Sequence, residues 1–281
     1  MVYPQQQTGA AGHLPHQPRA RRAALALGLT LLAILQAGAA RAEGLPGFGL
    51  NRSRAVVMAD GSKGTQVAAL NNSDATYLVE NRIYPANGLT GYPQAAPGAA
   101  GVAGAPAPLI VTPPLRRLGP QARLPLRLLV TPGNALPTDR ESLFFLSSKA
   151  IPSVPPRQAG AGGADGPRVV MALQQFIKLY YRPAGLKPHA IFDGDVAGQL
   201  QVRLAGGRLR VTNPTPYHIA FGVLSVGGKP VASEALRVLT PPKGEQDYPL
   251  PAGAGHAGER VTWRVIDEFG LVTDLQTQVL R

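Results

Sequence analysis

Leu173-Gln-Gln-Phe-Ile-Lys-Leu-Tyr-Tyr-Arg-Pro183 (LQQFIKLYYRP) is the stretch on which the reading of this chain turns. Phe176, Ile177, Leu179, Tyr180 and Tyr181 are the branched and aromatic types that pack on a pleated sheet, so the segment reads as a β-strand. Alternate strand residues share a face. Val169, Met171 and Leu173 therefore project together, and the same parity continues to Ile177 and Leu179 with Gln175 as an interruption. Lys178 lies on the opposite face, a cation in the middle of an apolar run. Arg182-Pro183 then ends the strand, because proline has no N–H to give the ladder.

The rest of the chain repeats the pattern. Arg54–Met58, Thr65–Leu70, Tyr77–Tyr84, Leu109–Thr112, Leu124–Val130 and Ser142–Ala150 are short β-rich runs before Val169–Tyr181. Gln199–Leu204, Leu209–Thr212, His218–Val226, Ala235–Leu239, Arg260–Ile266 and Leu271–Leu280 follow it. Gly, Pro, Asn and Asp punctuate them, and Gly206-Gly207 has the chemistry of a tight hairpin turn. This spacing belongs to all-β immunoglobulin-like sandwiches. The prolines of Arg182-Pro-Ala-Gly-Leu-Lys-Pro188 divide the strands into two sets, giving domains at 43–183 and 184–281 joined by a short, stiff connector. Ala86–Pro108 and Pro152–Pro167 are rich in Ala, Gly and Pro, carry few large apolar groups, and are expected to be mobile loops.

Residues 1–42 stand apart. Arg19, Arg21 and Arg22 precede an apolar run from Ala23 to Leu35, and Ala40-Arg41-Ala42 supplies an A-x-A site, the pattern of a secretory signal peptide cleaved after Ala42. The run is shorter than the ~20 residues a membrane-spanning helix needs, and no later segment approaches that length. Removing it leaves about 240 residues, enough for two cores. It also takes away four arginines from a formal charge of +12. The remaining cations are scattered, without the basic run or aromatic-interleaved motif that nucleic-acid binding uses. The chain has no cysteine, which excludes disulfides, thiol catalysis and cysteine-based zinc sites.

No catalytic pattern stands out. His189, His218 and His256 have no metal-ligand spacing and read as ordinary surface or loop histidines. No G-x-S-x-G elbow occurs, and Asp193 and Asp195 sit in a glycine-rich turn. Asn51-x-Ser53 and Asn71-x-Ser73 match a glycosylation triplet that arises often by chance. The residues give no positive argument for an enzyme, a metal or a cofactor.

Several motifs, taken in order, resemble one family. They are Gly49-Leu-Asn-Arg-Ser-Arg54, Asn71-Asn-Ser-Asp-Ala-Thr-Tyr77, Val111-Thr-Pro-Pro-Leu-Arg-Arg-Leu118 and Leu136-Pro-Thr-Asp-Arg-Glu-Ser-Leu-Phe-Phe145. Lys149-Ala-Ile-Pro152, Ile177-Lys-Leu-Tyr-Tyr-Arg-Pro183, Val211-Thr-Asn-Pro-Thr-Pro-Tyr217 and Ile266-Asp-Glu-Phe-Gly270 complete the series. Together they resemble the PapD-like periplasmic chaperones of the chaperone–usher pilus pathway. The resemblance implies two immunoglobulin-like sandwiches set at an angle, and a function in capturing pilus or fimbrial subunits and delivering them to an outer-membrane usher. It implies the mechanism of β-strand addition, in which the chaperone lends its own strand to complete the subunit. Val169, Met171 and Leu173 would be the donor side chains, with Ile177 and Leu179 packing in the chain's own core. Arg54 and Lys178 would bind the subunit's C-terminal carboxylate, fixing the register of the added strand.

The family's inter-domain ionic cluster falls on Glu141, Arg182 and an acid of the 266–270 motif. Glu268 aligns with that acid, and Asp267 is the alternative. Thr112-Pro113-Pro114 matches a motif that carries a cis proline at Pro113. The resemblance also implies self-association of the free chain through its exposed donor strand, and no requirement for ATP or a cofactor. A secreted two-domain adhesion or binding module is the other reading. The loop after Pro152 is longer and richer in glycine than in the short-loop pilus chaperones, which leaves the type of fibre open.

Overall fold

The computed structural model describes residues 47–61, 64–94, 108–133, 135–153 and 171–280. The signal peptide expected at 1–42, the donor residue expected at Val169 and most of the two Gly/Pro-rich inserts lie outside those residues.

The first nine strands are β1 (Phe48–Leu50), β2 (Arg54–Met58), β3 (Thr65–Asn71), β4 (Tyr77–Pro85), β5 (Leu109–Thr112), β6 (Leu115–Leu118), β7 (Arg123–Val130), β8 (Ser142–Pro152) and β9 (Leu173–Arg182). They form two sheets, ordered β1-β3-β7-β5 and β2-β9-β8-β4-β6. The period of two does the work. In β7, Leu124, Leu126 and Leu128 turn inward while Arg123, Pro125 and Arg127 face out. From the other sheet Val57, Val79, Leu146, Ile177 and Leu179 meet them to build one core. Ile177 and Leu179 thus pack inside, although Leu173 on the same parity is exposed. Thr112–Pro113 is a cis peptide bond.

The remaining strands are β10 (Gln201–Ala205), β11 (Arg208–Asn213), β12 (Phe221–Val226), β13 (Lys229–Pro230), β14 (Gly244–Pro249), β15 (Arg260–Val265) and β16 (Gln276–Val279). They make the sheets β10-β11-β14 and β13-β12-β15-β16 around Val202, Leu209, Val211, Leu224, Val226, Tyr248, Trp263 and Val265. The β10–β11 hairpin closes with Ala205 opposite Arg208, and Gly206 and Gly207 both take positive φ, which a primed two-residue turn demands. Both halves use the same corner. Asn71 Oδ1 accepts from the Ser73 N–H and hydroxyl, and Asn213 Oδ1 accepts from those of Thr215. Asn71 is fully buried, so its glycosylation triplet is a buried turn and not a surface acceptor site.

Three expectations are corrected. Ala235–Leu239 is no strand: Ala235–Arg237 is one turn of 3-10 helix closed by i→i−3 backbone bonds, and only Thr240 beyond it bridges to Ile219. Ala, Leu and Arg favour helix, and Glu234 pairs with Arg237 across the turn. Leu271–Leu275 lies outside the ladder apart from a Val272–Ile266 bridge, so the last strand is confined to Gln276–Val279. The start of the first insert is also ordered. Ala86 bridges Pro93, and the Asn87 side chain accepts from the Leu89 and Thr90 N–H groups. Among the described residues no helix is long and apolar enough to cross a membrane.

Candidate functional site

β2 and β9 come from opposite ends of the first domain and pair in parallel, in register from Arg54↔Lys178 to Met58↔Arg182. The two cations are therefore side by side on adjacent strands. The pairing starts only at Lys178. On its other side β9 pairs with β8 from Leu173, opposite Ala150, to Tyr181, opposite Ser142. The Leu173–Ile177 half of β9 consequently has one edge that no strand of the described residues occupies. Gln175, the residue that interrupts the apolar row, uses its Oε1 to accept the Leu50 N–H at 2.8 Å. Met171 and Leu173 are 73% and 47% exposed.

Arg54 is only 8% exposed. Its Nη1 donates to the Ile266 carbonyl at 3.2 Å, its guanidinium stands 6.0 Å from the Tyr180 ring, and its Nε has no partner among the described residues. Lys178 is half-buried and has no acid or acceptor among the described residues. Burial, reinforced by the like charges of Arg54 and Arg237, holds its ammonium below the ordinary lysine range. Together these are a pair of incompletely satisfied cations at the point where an open sheet edge closes.

Two residues beyond Lys178, on the same face, comes Tyr180, and two further Arg182. Arg182 is 1% exposed and sits between the domains. Its Nε donates to Glu141 Oε1 at 2.7 Å and its Nη2 to Glu268 Oε1 at 2.8 Å. Nη1 meets the Lys187 carbonyl, and the Tyr217 ring lies 4.6 Å from the guanidinium carbon. Glu141 Oε2 accepts from both the backbone N–H and Nδ1 of His218, at 2.7 and 3.0 Å. Glu268 also takes the N–H groups of Ile191 and Phe192. Burial pushes the Glu141 carboxyl up, but the His218 bonds and the Arg182 charge outweigh it and hold the group below the usual carboxylate range. Arg182 thus meets Glu268, while Asp267 Oδ1 accepts the N–H groups of Phe269 and Leu271 in its own turn. His218 is also no ordinary loop histidine; it closes the cluster. One sequence signal could have found it: it directly follows the Asn213–Tyr217 corner.

Tyr180 is a second residue that the sequence reading passed over. It packs with Ala220 and Leu239 of the second domain, and its buried hydroxyl has no hydrogen-bond partner among the described residues. A buried hydroxyl without a partner costs about 1–3 kcal/mol. Tyr180→Phe is therefore expected to leave stability unchanged or to raise it by about 1 kcal/mol in urea unfolding. A loss above about 1 kcal/mol would show that the hydroxyl has a partner after all.

The fold and site define a class: two-domain all-β sandwich proteins with a buried Glu–Arg–Glu cluster and an open strand edge that ends at two incompletely satisfied cations. The comparisons give the family. Residues 47–187 match the pili and flagellar-assembly chaperone PapD N-terminal domain, and residues 195–277 match the pili assembly chaperone PapD C-terminal domain. The chain belongs to this family of PapD-like chaperones. It is 32% identical over 253 residues to the chaperone protein FimC of Escherichia coli K12, covering 90% of each chain. Among solved structures, the E. coli chaperone DraB is 32% identical, with a TM-score of 0.64 over 83% of this chain and 96% of that one. The SafB chaperone of Salmonella enterica, solved with the SafA pilin, is 28% identical, with a TM-score of 0.63 over 84% of this chain and 98% of that one.

Proposed function

We propose that this protein is a periplasmic, non-enzymatic chaperone for pilus or fimbrial subunits. It captures a subunit by strand addition and hands it to an outer-membrane usher. The observation that carries the reading is the open edge of Leu173–Ile177 running into the Arg54–Lys178 pair. An unpaired edge is a template for another chain's backbone groups. Two cations at its end match a C-terminal carboxylate, whose two oxygens have several lone pairs to fill. The anchor sets the register, so that Met171 and Leu173, and Val169 before them, face the subunit's groove. Between captures the same edge would pair with a second copy of the chain. Arg182 and its two acids mark the boundary at 183 and hold the two domains in a fixed relation. Membership of a family of chaperones speaks against the adhesion-module reading.

The exposed donor row is directly testable. Met171→Asp with Leu173→Asp places two carboxylates in an apolar groove while changing residues that lie outside the chain's own core. Co-expression with a fimbrial subunit should then give a folded chaperone with at least about tenfold less subunit co-purifying from the periplasm, since burying a charge costs well over 1.4 kcal/mol. Undiminished recovery would remove these side chains from the donor strand.

A further inference from the structure

Arg237 stands at the end of the 3-10 turn in the second domain, held from three sides. Its Nε lies 2.6 Å from Glu234 Oε2 and its Nη2 3.0 Å from Oε1. The Tyr92 ring, from the ordered start of the first insert, is 5.4 Å from its guanidinium carbon. Gly91, at φ +69°, lies so close that a Cβ there would come within 2.5 Å of the Arg237 carbonyl oxygen. No residue but glycine fits this approach, so the turn is built onto Arg237. Two residues on, Leu239 packs against Tyr180, next on the Lys178 face of β9. The segment therefore runs along the wall that bears Lys178, and Lys178 feels Arg237 as a like charge beside Arg54.

We propose that Arg237 is a third cation of the carboxylate site, contributed by the second domain and released from Glu234 when an acidic chain end arrives. Both side chains of the Glu234 pair are about half or more exposed, so the pair is weak and exchangeable. A carboxylate presents about four acceptor positions, and a single Lys178–Arg54 pair leaves room for another donor. A chain end held this way is tied to both domains at once. Tyr92 acts as a positioning residue, its ring holding one side of the guanidinium while the group changes partners.

The inference rests on the assignment of Arg54 and Lys178 to carboxylate binding, and the test separates the two. The probes are a synthetic peptide of alternating valine and threonine with a free C-terminal carboxylate, and the same peptide ending in an amide. Each is titrated calorimetrically into the full chain, whose Arg237 variants change a surface side chain. Arg237→Gln is expected to weaken the acid peptide about fivefold and to leave the amide unchanged, the size of one exposed charge contact. Arg237→Lys should recover part of the loss, and Glu234→Gln should tighten the acid peptide by freeing the guanidinium. If Arg237→Gln keeps the wild-type preference for acid over amide while Lys178→Gln loses it, Arg237 is overturned and the anchor stands. If the wild-type chain does not prefer the acid, the anchor falls and the inference with it. An equal loss for both peptides would make Arg237 a structural brace only.

Discussion

Replacing Arg182 with leucine is expected to cost about 3–5 kcal/mol of stability. The guanidinium is almost fully buried and is shared by two carboxylates that are themselves buried, Glu141 from the first domain and Glu268 from the second. Leucine fills much of the volume, but it leaves both acids without their cation. Glu141 would keep His218, whereas Glu268 would keep only the Ile191 and Phe192 N–H groups. The loss comes from the stranded charges and not from the intrinsic value of the pair, since buried ion pairs roughly break even against apolar replacements. A variant that removes all three charges, Arg182→Leu with Glu141→Gln and Glu268→Gln, should therefore recover part of the deficit. Urea unfolding of the purified chains reads both. A loss below about 1 kcal/mol for Arg182→Leu would show that the cluster does not hold the domains together.

Reversing the charge at Arg54 and Lys178 together should have the larger functional effect. Each charge-assisted bond to a carboxylate contributes about 1.5–3 kcal/mol, so losing both weakens capture at least about a hundredfold. Two glutamates beside an incoming carboxylate add repulsion to that loss. The chain itself should tolerate the Lys178 change well. Lys178 pairs with no acid among the described residues, and its charge is disfavoured by burial and by two arginines. Arg54→Glu gives up one bond to the Ile266 carbonyl and the contact with Tyr180 and places a carboxylate in a mostly buried position, so the greater part of any stability loss comes from this change.

Much of this arrangement could be read from residues alone, and the exceptions have physical causes. Strands with one buried face announce themselves: β2 has the bounds the alternation gave it, and Leu124–Val130 falls one residue short of β7. Gly244–Pro249 escaped because only Tyr248 of that strand is buried. Glu245 and Asp247 face outward to Arg203 and Arg210, so the segment looks like a polar loop. Leu115–Leu118 hid behind its two arginines. The open edge was invisible because it depends on where β2 stops pairing, which no local pattern records. The resemblance paired Arg54 with Lys178 as one carboxylate site, and their register as neighbours on adjacent strands is a property of the fold. His218, Tyr180 and Arg237 were missed for a similar reason, since each matters through a partner distant in sequence.

The most direct test of the account is recovery of a co-expressed fimbrial subunit from the periplasm with the wild-type chain and with the Arg54→Glu, Lys178→Glu double variant. Circular dichroism and urea unfolding confirm that the variant is folded. The folded variant is expected to accumulate in the periplasm with essentially no subunit bound, while the wild-type chain carries it. Near-normal recovery of subunit with the folded double variant would contradict the carboxylate anchor and the mode of capture built on it.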